Sequence, residues 1–212
     1  MKYLIDTASQ AEIDKALKLG VSGITANPSM YKKENISVID FVKKYAHLAN
    51  ENDFFLSGEI LSDSLDVMLK QAKSLLEINN NIVIKINFSP LGLQACKILS
   101  SKGYNCAMTL IFSVYQAIAA INAGAKYIFP FVGRTENYGL DGLKLISDVK
   151  SIAQKYDVNV VAASIKNIYQ LEELAKLGAD YAAIPFSLYE QSLYHPLTEQ
   201  GEKTFINDWK FK

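Results

Sequence analysis

Eight short apolar runs alternate along this chain with amphipathic stretches that end at glycine, and this alternation restricts the fold more than any other feature. The runs fall at 3–6, 23–27, 54–59, 82–87, 106–111, 127–132, 158–165 and 181–185. Their hydropathy is flat rather than alternating, which suits parallel strands covered on both faces. The segments between them read as helices. "SQAEIDKALKLG" opens with a capping box, Ser9 and Glu12, and stops at Gly20. "SDSLDVMLKQAKSLLE" sets Leu65, Met68, Leu69, Ala72, Leu75 and Leu76 on one stripe at helical spacing. "NIYQLEELAKLG" starts with Asn167 and Gln170 in capping-box positions and ends at Gly178. "NAGAKYIFPF" and "KLGADYAAIPF" resemble each other, each a helix end, a Gly, a Tyr and a strand closing in Pro-Phe, two βα units apart.

Eight βα units in one chain predict an α/β fold, a single (β/α)8 TIM barrel occupying residues 1–212 as one domain. An open doubly wound sheet is the alternative, but no Gly-rich dinucleotide fingerprint follows the first strand. The tail "HPLTEQGEKTFINDWKFK" leaves room for an extra C-terminal helix at about 197–209. Its Phe205, Ile206 and Trp209 need an apolar surface, on the barrel itself or on a neighbouring subunit.

Lys plus Arg equals Asp plus Glu at 22 each, so no bulk charge draws the chain to nucleic acid or to a membrane surface. A small anion needs only a few placed cations and stays possible. The N-terminus lacks the apolar region and cleavage pattern of a leader, and the apolar runs are too short to span a bilayer, so a cytoplasmic protein is expected. Two cysteines, Cys96 and Cys106, make no disulfide framework, and no Cys/His spacing offers a metal site. No cofactor is expected.

Within "NIVIKINFSP" a lysine, Lys85, stands among Ile82, Val83, Ile84 and Ile86, where a bare ammonium is costly to bury. It could point outward and snorkel between helices. Barrel enzymes, however, place their chemistry at the C-terminal ends of strands, and there this chain gathers polar side chains. They are Asp6, Thr25, Asn27, Glu59, Lys85, Asn87, Thr109 and Ser164, with Arg134 in a Gly-bounded loop after the sixth run and Lys166 after the seventh. Taken singly, each has a bland explanation: Asp6 as a cap, Asn27 as the turn residue before Pro28, Thr109 as a strand former, Arg134 as a solvated charge. Taken together they give Lys85 two carboxylates at its own level, Asp6 and Glu59. A lysine desolvated among aliphatics releases its proton more readily, attacks a carbonyl as a neutral amine and forms an iminium that draws electrons. Asp6 and Glu59 then supply general acid/base catalysis, with Thr109 orienting a water. Arg134, Ser164 and Lys166 sit on the late strands, where barrels often bind phosphate. These residues point to a lyase or transferase acting on a phosphorylated keto-compound.

On "LIDTA" (4–8), "GITANPS" (23–29), "SGEI" (57–60), "IVIKI" (82–86), "TLIFS" (109–113), "FVGR" (131–134) and "AASIKN" (162–167), the chain resembles the transaldolase family, in its short-chain subgroup that includes fructose-6-phosphate aldolases. The resemblance covers nearly the whole chain. It implies Lys85 as the Schiff-base lysine, Asp6 as acid/base at the substrate C4 hydroxyl, and Glu59 and Thr109 as holders of the catalytic water. It further implies Asn27 as substrate-binding, Arg134, Ser164 and Lys166 as a phosphate site, and a homo-oligomer, pentamer or decamer, joined through the C-terminal helix; Thr25 and Phe131 are also expected to bind substrate, and no metal is expected. Glu59 and Phe131 resemble the transaldolases, since the aldolases carry Gln and Tyr there. The chain departs from the transaldolase pattern at Ala107, Phe129 and Asn87, where Asn, Ser and Pro are usual. The expected activity is transfer of a dihydroxyacetone unit between sugar phosphates. The alternatives are an aldolase releasing dihydroxyacetone and a sugar-phosphate-binding protein without turnover.

Overall fold

The computed structural model describes residues 1–51 and 54–210. Phe211 and Lys212 of the tail, part of the expected 1–212 domain, lie outside the described residues, as do Asn52 and Asp53. Eight parallel strands close into a barrel in sequence order: β1 (Lys2–Asp6), β2 (Gly23–Thr25), β3 (Phe55–Ile60), β4 (Val83–Asn87), β5 (Cys106–Ile111), β6 (Tyr127–Pro130), β7 (Asn159–Ala162) and β8 (Tyr181–Ile184). The expected (β/α)8 barrel is the observed fold, with β8 pairing back onto β1 through Ile5↔Ile184. Around it run α1 (Gln10–Lys18), α2 (Pro28–Lys33), α3 (Val38–Tyr45), α4 (Leu65–Leu76), α5 (Pro90–Ser100), α6 (Val114–Asn122), α7 (Val132–Asn137), α8 (Gly142–Ala153), α9 (Ile168–Lys176), α10 (Phe186–Ser192) and α11 (Pro196–Trp209). No helix among the described residues is long and apolar enough to cross a membrane.

The flat apolar strands serve two cores at once. One face of each strand, with Ile5, Ile24, Leu56, Ile84, Ile86, Met108, Ile128, Val160 and Ile184, packs against the helices. The other fills the barrel with Leu4, Phe55, Val83, Ala107, Phe129, Val161, Tyr181 and Ala183. Tyr127 and Tyr181, the tyrosines of the two similar segments, meet edge to face with centroids 6.0 Å apart and close the barrel floor with Phe55. Gly23 faces this interior, and a Cβ there would run into the Phe55 carbonyl oxygen, so β2 has to carry glycine opposite that ring.

Several local expectations shift. The second run ends at Thr25 rather than residue 27, because Asn27 leaves the sheet to cap α2, accepting from the N–H groups of Ser29 and Met30. The sixth run stops at Pro130, and Val132 already opens α7, so Arg134 belongs to a helix and not to a Gly-bounded loop. The seventh stops at Ala162, since Ser164 takes a left-handed backbone with φ 59°. The Ser9/Glu12 capping box does not form: Glu12 accepts instead from Thr7 Oγ1 at 2.6 Å. Asn167 caps α9 through the Gln170 N–H, but the Gln170 side chain turns to Lys166 N (2.7 Å) and Glu136 Oε2 (2.6 Å) rather than back to the cap. Leu65 and Leu69 are only half-buried, whereas Met68, Ala72, Leu75 and Leu76 are buried as the stripe requires. The extra helix forms as α11, and none of its residues is buried against the barrel.

Candidate active site

Strand parity decides which side chains reach the barrel mouth. Val83 and Ala107 lie in the inner core, so Lys85 and Thr109, two residues on, also face inward one layer higher. The same step carries Leu4 to Asp6, and Phe55 through Ser57 to Glu59. Lys85 therefore does not snorkel outward. Register keeps these groups level, with Glu59↔Lys85 and Asp6↔Thr25 as direct neighbours. Asp6, Glu59, Lys85 and Thr109 line a cavity of 330 Å³ at the C-terminal ends of the strands, together with Asn27, Asn87, Phe129, Phe131, Arg134, Ser164 and Lys166.

Lys85 is buried at the bottom of this cavity, and its ammonium is held on one side by polar groups. Nζ donates to the Ala26 carbonyl at 3.1 Å and, at longer range, to Thr25 Oγ1 at 3.4 Å. Glu59 Oε2 lies 3.1 Å away, an ion pair lying off a regular hydrogen-bond axis. Nζ also lies over the Phe129 ring, 5.4 Å from its centroid and within cation–π range. Burying an ammonium here is tolerated because the carboxylate comes with it.

Asp6 stands beside this pair with Oδ1 buried and free of any hydrogen bond. Burial raises its carboxyl above the ordinary carboxylate range; the Lys85 charge opposes that, Glu59 reinforces it, and Arg134 and Lys166 pull weakly downward. A carboxyl so placed can both hold and release a proton under mild conditions. Thr109 is buried on the facing strand, and Leu110 after it adopts φ 61°, a backbone that a branched side chain rarely takes. The β5–β6 register slips between Met108 and Ile111 at that point, which turns the chain out of the ladder just above Thr109.

The rim is built by two segments sewn together. Val132 N donates to Ala163 O and Gly133 N to Ser164 O, both at 2.9 Å, which fastens the start of α7 to the end of β7. Arg134 in this turn is exposed, its guanidinium 4.9 Å from the Phe131 ring. Lys166 is exposed on the other segment, and its N–H is fixed by Gln170. Two cations and a serine thus frame one edge of the cavity.

Comparison with known proteins places nearly the whole chain in one family. The family described as Transaldolase/Fructose-6-phosphate aldolase matches residues 3–211. A "Probable transaldolase" of Thermoanaerobacter sp. (strain X514) is 40% identical over 99% of this chain and 97% of its own length. One from Geotalea daltonii is 41% identical over 99% and 98%, and the "Probable transaldolase 1" of Listeria monocytogenes serotype 4b is 39% identical over the same shares. The chain belongs to the transaldolase/fructose-6-phosphate aldolase family. It is an enzyme fold of that group, and the residues singled out in its sequence gather at one barrel mouth.

Within this family member the expected residues divide by position. Asp6, Asn27, Glu59, Lys85, Thr109, Phe131, Arg134, Ser164 and Lys166 all line the cavity. Thr25 does not: its hydroxyl pairs with Ser57 Oγ at 2.8 Å beneath Lys85, so it supports the lysine rather than facing a ligand. Sequence reading missed the Ala26 carbonyl, Leu110 and Met30 as parts of the site. A main-chain oxygen leaves no trace in residue type, and Leu110 enters only because of its backbone twist. Among the described residues no three His, Cys, Asp or Glu side chains stand together as metal ligands would.

Proposed function

We propose that this chain is a transaldolase that carries a dihydroxyacetone unit on Lys85. Sedoheptulose 7-phosphate and glyceraldehyde 3-phosphate give erythrose 4-phosphate and fructose 6-phosphate, and the reverse. The observation that carries the reading is a buried lysine at the cavity bottom, 3.1 Å from one carboxylate and level with a second. Glu59 takes a proton from Lys85, whose lone pair attacks the ketose C2 carbonyl; water leaves and an iminium forms. Asp6 accepts the C4 hydroxyl proton as the C3–C4 bond breaks, the electron pair moves into the enamine, and the aldose phosphate departs. The enamine attacks the acceptor aldehyde, Asp6 returns the proton to the new hydroxyl, and a water held by Glu59 and Thr109 hydrolyses the iminium. Asn27 offers its amide to the substrate hydroxyls, having committed Oδ1 to the cap of α2. Arg134, Ser164 and Lys166 hold the phosphate dianion. The enzyme works in the cytoplasm as a homo-oligomer, pentamer or decamer, with α11 on a neighbouring subunit; the exposed Leu197, Phe205 and Ile206 support that contact.

The second reading is an aldolase that releases dihydroxyacetone and glyceraldehyde 3-phosphate from fructose 6-phosphate. Phe131 favours transfer, because it sets an apolar ring against the cavity where a phenol would protonate the enamine. A binder without turnover has no use for a buried, paired lysine. The test is fructose 6-phosphate with and without erythrose 4-phosphate. Transfer should exceed release of dihydroxyacetone, and Phe131→Tyr should shift the ratio towards release by about 10-fold, the worth of one placed proton donor. Equal rates of release and transfer in the wild type would favour the aldolase.

A further inference from the structure

Behind the active site, between α2, α3 and α4, lies a second cavity of 340 Å³ lined by Tyr31, Val38, Ile39, Leu61, Gln71 and Ser74. Glu59 lines this cavity as well as the catalytic one, so its side chain stands in the wall between them. Tyr31 is over nine-tenths buried, its ring held against Phe41 with centroids 5.2 Å apart. Its hydroxyl sits beside the Glu59 main chain yet makes no hydrogen bond of regular geometry. The other polar groups of the cavity are engaged: Gln71 bonds the Leu61 N–H and carbonyl, and Ser74 Oγ bonds Lys70 O. A phenylalanine would fill the space of Tyr31 without the cost of a buried, unmatched hydroxyl.

We propose that Tyr31 is a positioning residue for Glu59, its hydroxyl donating to the Glu59 carboxylate from the second cavity once Lys85 is committed to the covalent intermediate. The inference rests on the Schiff-base reading above. In the resting site Glu59 has the three-donor ammonium of Lys85 as its partner. In the iminium that nitrogen keeps a single N–H, and the carboxylate needs another donor to stay aimed at the water that ends the cycle. Tyr31 is protonated for this task, because burial first, and then the charges of Glu59 and Asp6, push its phenol far above the ordinary range. The titratable groups facing Glu59 from the two cavities are Lys85 on β4, Asp6 on β1 and Tyr31 on α2, with Arg134 and Lys166 at the rim.

The experiment compares wild type with Tyr31→Phe in the full chain, by melting temperature, borohydride trapping with fructose 6-phosphate, and pH-dependent transfer kinetics. Tyr31→Phe should melt at the same temperature or higher and trap sugar on Lys85 as fully as wild type. Its kcat should fall about 10-fold with KM little changed, a loss in keeping with one hydrogen bond to a charged group. The pH profile of kcat should change with it, since a donor to the catalytic carboxylate is removed. In a Glu59→Gln background the substitution should add nothing further. Trapping intact with kcat and pH profile unchanged would show an inert hydroxyl and overturn the proposal. An unaltered effect of Tyr31→Phe in the Glu59→Gln background would overturn it too, by showing that the phenol acts elsewhere. Failure of the wild type itself to trap sugar would instead sink the Schiff-base reading, and this inference with it.

Discussion

Lys85 and Glu59 hold each other inside the barrel, so a change at either is felt by both. Lys85→Met should abolish borohydride trapping of a ketose phosphate. It should also destabilise the fold by about 3–5 kcal/mol, because the Glu59 carboxylate stays buried without its cation. Adding Glu59→Gln should recover most of that loss in urea unfolding; no recovery would mean that the aliphatic stem of Lys85, not its charge, supports the strand. Asp6 gives the opposite coupling of activity and stability. Its folded-state carboxyl binds protons more tightly than in the unfolded chain. The stability contributed by protonated Asp6 is therefore complete below the ordinary carboxylate range and is lost as pH rises through the raised value. At neutral pH the ionised group is a net cost. Asp6→Asn should thus melt higher at pH 7 while kcat falls about 100-fold or more, and its stability gain should vanish in acid. In wild type the acid limb of kcat should lie above the ordinary aspartate range.

At the level of elements, the cavity edge proposed to hold phosphate depends on how α7 meets the end of β7. Gly133 makes that seam possible: a Cβ there would strike the Ser164 carbonyl oxygen and press on the Lys166 side chain, its Cγ 2.7 Å away. Gly133→Ala should push the two segments apart and raise KM for fructose 6-phosphate by about 10- to 100-fold, with a much smaller change for dihydroxyacetone. Arg134→Ala should show the same selectivity, about 10-fold or more, since only the phosphorylated sugar presents a dianion. Equal losses for both substrates in steady-state kinetics would make Arg134 structural. The sequence marked Arg134, Ser164 and Lys166 as neighbours only through their place after late strands. That α7 begins at Val132, and that Gln170 fastens Lys166 instead of capping its own helix, came from contacts between elements.

For the whole molecule, α11 is the outlying element. It carries Leu197 and Phe205 at 69% and 74% exposure, and none of its residues is buried. An apolar helix face left uncovered by its own barrel is the surface on which the proposed homo-oligomer would pack. Phe205→Glu should shift the protein to smaller species in light scattering, while the monomer keeps its barrel circular-dichroism signal because the eight strands close without α11. An unchanged mass would remove α11 from the proposed subunit contact.

The sequence by itself determined the class of architecture, because eight flat apolar runs separated by capped helices bury both faces of their strands only under a helical cover, and without a dinucleotide fingerprint that cover points to a closed barrel rather than an open doubly wound sheet. It also marked the polar residues gathered at the strand ends, while the structure showed which parity faces inward and so set Asp6, Glu59, Lys85 and Thr109 above Leu4, Phe55, Val83 and Ala107. Only the tertiary structure decided which of these touch. That Lys85 pairs with Glu59 and rests on the Ala26 carbonyl, that Thr25 sits below the lysine rather than against a ligand, and that Tyr31 comes up behind Glu59 from another element all follow from strand register and helix packing. Those contacts bring together residues far apart in the chain, often through main-chain atoms, and neither the distance nor the carbonyl is written in residue type.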